Sequence, residues 1–202
     1  LALTCAYVVP VKRHLVPEME AAGVRCQCVS RRARDPWWPV RLARLVRRGG
    51  FDVVHVHSPL PGSVARVAAR TLPRAKRPMV LTTEHNSWAT YRSATRLVNR
   101  LTSRWDRHTF GVSAEAAESV TGPAAAHVSV LTHVVPVHQV RSRLAERERM
   151  RTELGIGPET VLFGTVANFR QQKDYPNLLQ ACALLVQRGT PAVRIQYADG
   201  GQ

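Results

Sequence analysis

Short apolar runs alternate with helix-like segments along most of this chain, and this alternation limits the folds that it can adopt. The runs are rich in valine and short enough for buried strands, as at residues 53–57 and 79–83. Several of the intervening segments end at glycine, which commonly terminates helices, as at Gly23 and at Gly49 and Gly50. The alternation predicts an α/β fold with a doubly wound parallel sheet.

The same pattern gives approximate bounds for the individual elements. The predicted strands cover residues 3–9, 24–29, 53–57, 79–83, 108–112, 128–131, 161–166 and 193–197. The predicted helices include one that ends near Ala22, one with a stripe at Leu42, Leu45 and Val46, and others over residues 64–70, 92–105, 140–154 and 176–188. Ser113 is predicted to cap a further helix, and residues 31–39 are predicted to be irregular.

The clearest amphipathic pattern lies in the predicted helix over residues 92–105. Its apolar residues have helical spacing and are expected to face the core: Ala94, Leu97, Val98, Leu101 and Trp105. A second stripe repeats at every fourth position: Arg92, Arg96, Arg100 and Arg104. Like charges at this spacing repel by roughly a few tenths of a kcal/mol per pair. The stripe is therefore either a solvated cationic face or a surface for an anionic partner.

Charge and cysteine content limit the partners and the compartment. The formal net charge is +15, which favours nucleotide phosphates, nucleic acid or an anionic membrane surface, unless the arginine bias is only compositional. The four cysteines form no C-x-x-C pair, which predicts reduced thiols in a cytoplasmic protein: Cys5, Cys26, Cys28 and Cys182. No apolar run of about eighteen residues occurs, so no membrane-spanning helix is predicted.

Residues 161–179 combine a strand, a polar loop and the start of a helix. The loop carries Arg170 and Lys173, and Asp174 and Pro176 are suited to the cap and first turn of the helix. Helix N-termini bind phosphate well, so this corner is a candidate phosphate site. It is not a Walker A loop, because the G-x-x-x-x-G-K-[ST] pattern is missing. An ordinary corner with solvated charges is the alternative.

The segment GTVANFRQQKDYPNLL, residues 164–179, resembles the first strand–loop–helix of the donor domain in glycosyltransferase family 4. Members of this family are retaining enzymes with the GT-B fold. The resemblance implies that Lys173 binds the diphosphate of a nucleotide-sugar. The arginine that accompanies this lysine in the family usually lies at the position of Asn168, so Arg170 would take its place.

Two further segments, DVVHVHSPLPG at residues 52–62 and LTTEHN at residues 81–86, resemble the acceptor-side domain of the same family. The resemblance implies that His85 is the active-site histidine, at the edge of a parallel sheet where ligands bind. A histidine there can hydrogen-bond a sugar hydroxyl or relay a proton. The residues implied to line the acceptor cleft are Ser58, Gly62, Glu84 and Asn86.

A metal site was the alternative use of the histidines. His55 and His57 point to the same face of their predicted strand. No other nearby carboxylate or cysteine than Glu84 could complete a ligand set, so no metal is predicted.

The resemblance also implies the domain organisation. Residues 1–136 would form a Rossmann-like acceptor-side domain that lacks its first strand and loop, and residues 137–202 would form the truncated start of a Rossmann-like donor domain. The family's glycine-rich first loop and its acidic donor motif are absent, so the chain is expected to be an inactive fragment. Val134 stands where the family usually has glycine, which would strain the backbone if that position has a positive φ.

The function implied is hexosyl-type transfer from a nucleotide-diphosphate sugar to an acceptor hydroxyl with retention. The nucleotide-sugar is a co-substrate, no cofactor is expected, and the acceptor could be a lipid or polysaccharide precursor at the inner face of a membrane. The alternatives are a basic nucleic-acid-binding module and a non-catalytic interaction module. No helix-turn-helix, zinc-finger or RNA-recognition signature occurs, so nucleic acid is not predicted as a partner.

Overall fold

The computed structural model describes residues 1–167, 171–189 and 193–198. The chain divides into two compact units, Leu1–Val134 and Val135–Gln202, and each is described by itself.

The first unit alternates strands and helices in the predicted order. Its strands are β1 (Thr4–Tyr7), β2 (Arg25–Cys28), β3 (Val53–Val56), β4 (Met79–Glu84), β5 (His108–Gly111) and β6 (Val128–Val130). Its α-helices are α1 (Val16–Ala21), α2 (Trp38–Arg48), α3 (Pro59–Arg70), α4 (Ser93–Ser103) and α5 (Ala114–Glu118). The predicted cap of α5 is confirmed, because the Ser113 hydroxyl accepts a hydrogen bond from the backbone N–H of Ala116 at 3.1 Å.

All strand pairs in this unit are parallel. One sheet has four strands in the order β3-β4-β5-β6, and β1 pairs with β2 in a separate two-stranded sheet. The predicted α/β class with parallel strands is therefore confirmed. Since parallel strands end at the same edge, the residues after β3, β4, β5 and β6 gather on one side of the four-stranded sheet.

The main apolar core lies between the strands and helices α2 and α3. Its buried members are Val29, Leu42, Val46, Val56, Ala65, Ala68, Ala69 and Val80. Alanine on α3 lets that helix pack closely against α2, whose apolar stripe contains Leu42 and Val46 as predicted. Gly49 follows α2, and Gly50 has a φ of +61°, a conformation that favours glycine.

A second, polar core joins α3, α4 and β4. Arg66 donates to both carboxylate oxygens of Asp106, at 2.7 and 2.6 Å. Its guanidinium also donates to the side chains of Asn99, Thr102 and Thr82, at 2.6, 3.2 and 2.9 Å. The Arg66 and Asp106 side chains are only 0% and 2% exposed, so this ion pair is shielded from water. Burial raises the pKa of Asp106, and the bonds from Arg66 oppose that shift.

The predicted orientation of α4 is wrong. Its buried residues are polar: Asn99, Thr102 and Ser103. The expected core-facing residues are exposed instead, apart from the half-buried Trp105: Ala94, Leu97, Val98 and Leu101. The reason is the Arg66 network, which needs partners from α4 to satisfy a buried charge and therefore turns the polar face of the helix inward.

The second unit contains three α-helices and two strands among the described residues. They are α6 (Val137–Ser142), α7 (Arg147–Glu153), β7 (Val161–Val166), α8 (Tyr175–Gln187) and β8 (Val193–Ala198), with β7 parallel to β8. The single helix predicted over residues 140–154 is wrong, since a 3-10 segment, Arg143–Glu146, separates α6 from α7. β7 is a strand as predicted but is not fully buried, because Val161, Phe163 and Val166 are exposed.

The local structure at Asp174 and Val134 tests two further predictions. Asp174 precedes α8 with a φ of 46°, and its side chain makes no capping hydrogen bond, so the predicted side-chain cap is wrong. Pro176 lies in the first turn of α8 as predicted. Asp174 is the only non-glycine residue with a positive φ in the described ranges, so Val134 carries no such strain.

We expect Arg66→Met to lower the free energy of unfolding by roughly 3–5 kcal/mol, because it leaves the Asp106 carboxylate buried without its partner. Arg74→Met, at an exposed position shortly after the same helix, should change that free energy by about 0.5 kcal/mol or less. Chemical denaturation of both variants measures the difference. Equal losses would show that the buried pair does not hold these elements together.

Candidate active site

Three histidines from separate parts of the chain meet at the carboxyl edge of the four-stranded sheet. His57 directly follows β3, and His85 directly follows β4. His133 lies three residues beyond the end of β6. The parallel pairing of β3 and β4 places His57 and His85 side by side, and the chain after β6 brings His133 against His85.

The histidines are in direct contact. His57 Nδ1 lies 3.1 Å from His85 Nε2, so one ring nitrogen donates a hydrogen bond to the other. The His133 ring stacks on the His85 ring with centroids 5.4 Å apart and an angle of 23° between planes. His55 lies 4.4 Å from His57 between centroids, and its Nε2 is 2.8 Å from the hydroxyl of Thr83. We call His55, His57, His85 and His133 the histidine cluster.

Burial favours the neutral form of two members of the cluster. Partial burial lowers the pKa of His55, and the nearby His85 lowers it further. Partial burial also lowers the pKa of His57, with added contributions from His55, His85 and His133. A second positive charge within about 3 Å of the first is unfavourable. Near neutral pH these imidazoles are therefore uncharged and can accept a proton from a hydroxyl group.

A buried hydrogen-bonded carboxylate supports the end of β4. Glu84 is 1% exposed and accepts hydrogen bonds from the Tyr91 hydroxyl at 2.7 Å and from Asn99 Nδ2 at 2.9 Å. Burial and the bond to Glu84 raise the pKa of Tyr91. Glu84 thus lies beneath the surface next to His85, where it holds the strand that presents the histidine. Asn86, on the other side of His85, is exposed.

The other two residues expected in an acceptor cleft lie in different surroundings. Ser58 is exposed and lines a cavity of about 530 Å³ together with His55 and His57. The cavity lies between β1 and β3, the facing strands of the two sheets in the first unit. Gly62 is buried inside α3, where a Cβ atom would lie 3.6 Å from the guanidinium of Arg66.

The predicted phosphate site lies in the second unit. Lys173 is exposed and ends a short 3-10 turn, Gln171–Lys173, just before α8. The Tyr175 hydroxyl donates to the carbonyl oxygen of Ala167 at 2.7 Å, which ties the start of α8 to the end of β7. Asn168 and Arg170, the other predicted members of this site, lie outside the described residues.

The four arginines of the predicted anionic surface are all exposed: Arg92, Arg96, Arg100 and Arg104. The guanidinium of Arg104 lies 4.9 Å from the centroid of the Trp105 ring, and that of Arg70 lies 5.8 Å from it. Both distances are within the range of a cation–π contact.

Among the residues that the structure describes, no group of three or more histidine, cysteine, aspartate or glutamate side chains could hold a metal ion. No helix in these ranges is both long enough and apolar enough to cross a bilayer.

Sequence reasoning located His85 at the sheet edge but missed two of its neighbours. It considered His57 only as a metal ligand, although a histidine directly after β3 lies beside the residue directly after β4 in a parallel sheet. It gave His133 no role in the site, although this residue follows the end of β6 closely. The position of each histidine close to the end of a predicted strand could have identified these two neighbours of His85.

The model of the family described as Glycosyltransferase Family 4 matches residues 13–144, about two thirds of the chain. The matched region contains all four members of the histidine cluster, whereas Lys173 lies beyond it. No curated protein matches the chain.

We expect the free energy of unfolding to fall as the pH is lowered from about 7.5 to about 5.5. His55 and His57 have lowered pKa values when folded, so the unfolded chain binds protons first, below about pH 6.5. Denaturation at several pH values measures the slope. The double variant His55→Gln/His57→Gln should flatten it, whereas Ser58→Gln at the same strand end should leave it unchanged. A level profile for the unaltered chain would contradict this account.

Proposed function

This chain belongs to glycosyltransferase family 4, and from that we propose that it transfers a hexosyl group from a nucleotide-diphosphate sugar to an acceptor hydroxyl with retention. The family has the GT-B fold, with which the parallel four-stranded sheet of the first unit agrees. The observation that carries the proposal is the His57–His85 contact of 3.1 Å at the carboxyl edge of that sheet. This edge is where open parallel sheets bind their ligands.

In this proposal His85 is the catalytic residue of the acceptor side. Its ring is exposed and can reach a hydroxyl group of a bound sugar or acceptor. His57 occupies the Nε2 atom of His85 with a hydrogen bond, which sets the orientation of the ring. Glu84 supports the same strand end from below, while Ser58 and Asn86 are exposed near it and are proposed to contact the acceptor.

Lys173 is proposed to bind the diphosphate of the donor. As the sugar–phosphate bond breaks, the sugar gains oxocarbenium character and negative charge grows on the departing diphosphate. In this proposal the nearby lysine and the positive, N-terminal end of α8 stabilise that charge without a proton transfer. Arg170 and Asn168 are proposed to assist Lys173. The nucleotide-sugar is a co-substrate in this scheme, and no cofactor is invoked.

We assign residues 1–136 to the acceptor-side domain and residues 137–202 to the nucleotide-sugar-binding domain. The proposed location is the cytoplasm, with peripheral attachment to the inner face of a membrane. An acceptor built on a lipid or a polysaccharide precursor would fit that location. The exposed arginines of α4 support this proposal, because anionic headgroups attract such side chains.

A nucleic-acid-binding module is the competing function that the net charge of +15 favours. It makes a different prediction for ligand response. Binding to random duplex would weaken steeply with salt and would not respond to nucleoside diphosphates. A non-catalytic interaction module would bind neither random duplex nor nucleoside diphosphates.

The chain has three lysines, so amine labelling can test the donor site directly. We expect a nucleoside diphosphate to protect Lys173 from labelling, because a bound phosphate would cover its ammonium group. Lys12 and Lys76 are exposed as well and serve as matched controls in the same sample. Equal labelling of all three lysines, together with tight duplex binding, would favour the nucleic-acid function. Mass spectrometry of peptides provides the measurement.

Sugar transfer by the full-length protein tests the acceptor side. We expect His85→Gln to lower kcat by about 10²-fold or more, since a positioned histidine typically contributes that much to proton transfer. His127→Gln changes an exposed histidine outside the cluster and should leave kcat unchanged. Full activity of His85→Gln would place the chemistry elsewhere.

A further inference from the structure

The outward side of α4 is apolar. Leu97, Val98 and Leu101 are 57%, 42% and 54% exposed, and Ala94 is exposed as well. We call these four residues the α4 outer face. Their spacing of three, four and seven residues places them in one stripe along the helix. Exposed apolar stripes of this kind commonly mark a surface that contacts another molecule.

The α4 outer face cannot rotate inward without breaking buried hydrogen bonds. Asn99 lies on the side of α4 opposite to the outer face. Its side chain accepts a hydrogen bond from Arg66 at 2.6 Å and donates one to Glu84 at 2.9 Å. Thr102 accepts a further hydrogen bond from the same guanidinium at 3.2 Å. A buried charge that loses its partners is strongly unfavourable, so the apolar side stays outward.

The apolar surface continues onto two neighbouring helices. A groove of about 390 Å³ is lined by Val40 of α2, Val67 of α3 and Val98 of α4. All three valines are exposed, at 45%, 47% and 42%. Since α2 packs on α3 and α3 packs on α4, the three helices present one side to solvent. We call this the three-helix surface.

The charge of the three-helix surface has a single sign. Helices α2, α3 and α4 contain no aspartate or glutamate. Their exposed arginines are Arg44, Arg47, Arg48, Arg70, Arg96 and Arg100. On α4, Arg96 and Arg100 each precede a leucine of the outer face by one residue, which places them about 100° around the helix from that leucine, on one flank of the outer face. The charges that these three helices carry are therefore all positive, with no anion among them.

We propose that the three-helix surface docks on an anionic lipid bilayer, with the α4 outer face at the acyl boundary and the flanking arginines at the lipid phosphates. This is the arrangement of an interfacial amphipathic helix, with apolar residues on one side and basic residues beside them. The proposal deepens the peripheral location proposed above and identifies the surface responsible. It does not depend on the sugar-transfer chemistry.

A bilayer fits this surface better than a protein partner does. The exposed residues belong to the outward sides of three adjacent helices and cover a broad area rather than one deep pocket. An anionic bilayer offers apolar depth and negative charge at every point of such an area. A protein partner would have to carry a matching apolar patch with an acidic border.

Vesicle sedimentation tests the proposal with matched pairs of variants. The first pair, Leu97→Gln/Leu101→Gln and Arg96→Gln/Arg100→Gln, changes exposed side chains of α4 and should not disturb the Arg66 network. The second pair, Val140→Gln/Leu144→Gln and Arg141→Gln/Arg143→Gln, makes the same kinds of change at exposed positions of the second unit. Circular dichroism verifies that each variant is folded.

We expect the unaltered chain to bind vesicles that contain phosphatidylglycerol and not vesicles of phosphatidylcholine alone. The α4 arginine variant should bind roughly 25-fold more weakly at low salt, since each of its two arginines contributes about a fivefold factor near an anionic surface. High salt should reduce this difference, because it screens exposed charges. The α4 leucine variant should bind about tenfold more weakly at both salt concentrations, because apolar burial is not screened. The variants of the second unit should bind like the unaltered chain.

Several outcomes would overturn the proposal. One is no binding to either vesicle, and another is binding that the α4 variants leave unchanged. Self-association that only the α4 leucine variant abolishes, without vesicle binding, would assign the surface to a second copy of the chain. The lysine-labelling experiment involves no residue of α4, so a failure here is distinguishable from a failure of the proposed sugar transfer.

Discussion

The buried ion pair between Arg66 and Asp106 is the interaction on which the first unit depends. Its guanidinium donates five hydrogen bonds, which reach β4, α4 and the segment between α4 and β5. A charge in this position is strongly unfavourable unless all of its partners are present. The network therefore requires α3, α4 and β4 to assemble together, in addition to the apolar core between the sheet and α2 and α3.

The same network determines where the histidine cluster lies. Asn99 receives a hydrogen bond from Arg66 and passes one to Glu84, the last residue of β4. His85 is the next residue, so its backbone position follows from a strand end that is held by buried bonds. The ring itself remains exposed and contacts His57 and His133. A rigid support beneath an accessible side chain suits a residue that must meet a substrate in a defined geometry.

Local patterns were sufficient to predict most elements of the fold and the position of His85. The valine-rich runs, the glycines after α1 and α2, and the Ser113 cap are signals carried by a few neighbouring residues.

The orientation of α4 could not be predicted in this way. Its apolar periodicity identifies an amphipathic helix but does not state which side faces inward. That depends on Asp106 and Arg66, which are 40 residues apart in sequence. The His133 contact likewise depends on how the chain returns after β6. Of the three predicted diphosphate-binding residues, Lys173 is among the described residues, whereas Asn168 and Arg170 lie outside them.

The polar inner side of α4 has a consequence for how this helix responds to force and to mutation. Apolar side chains can slide over one another, so a helix held only by them can turn slightly about its axis at little cost. Hydrogen bonds to a planar guanidinium weaken steeply when their angles change. The hydrogen bonds that Asn99 and Thr102 accept from Arg66 therefore hold α4 in one rotational position about its axis. Substitutions on the outer side leave these hydrogen bonds intact. They therefore change the exposed surface of α4 without changing the orientation of the helix.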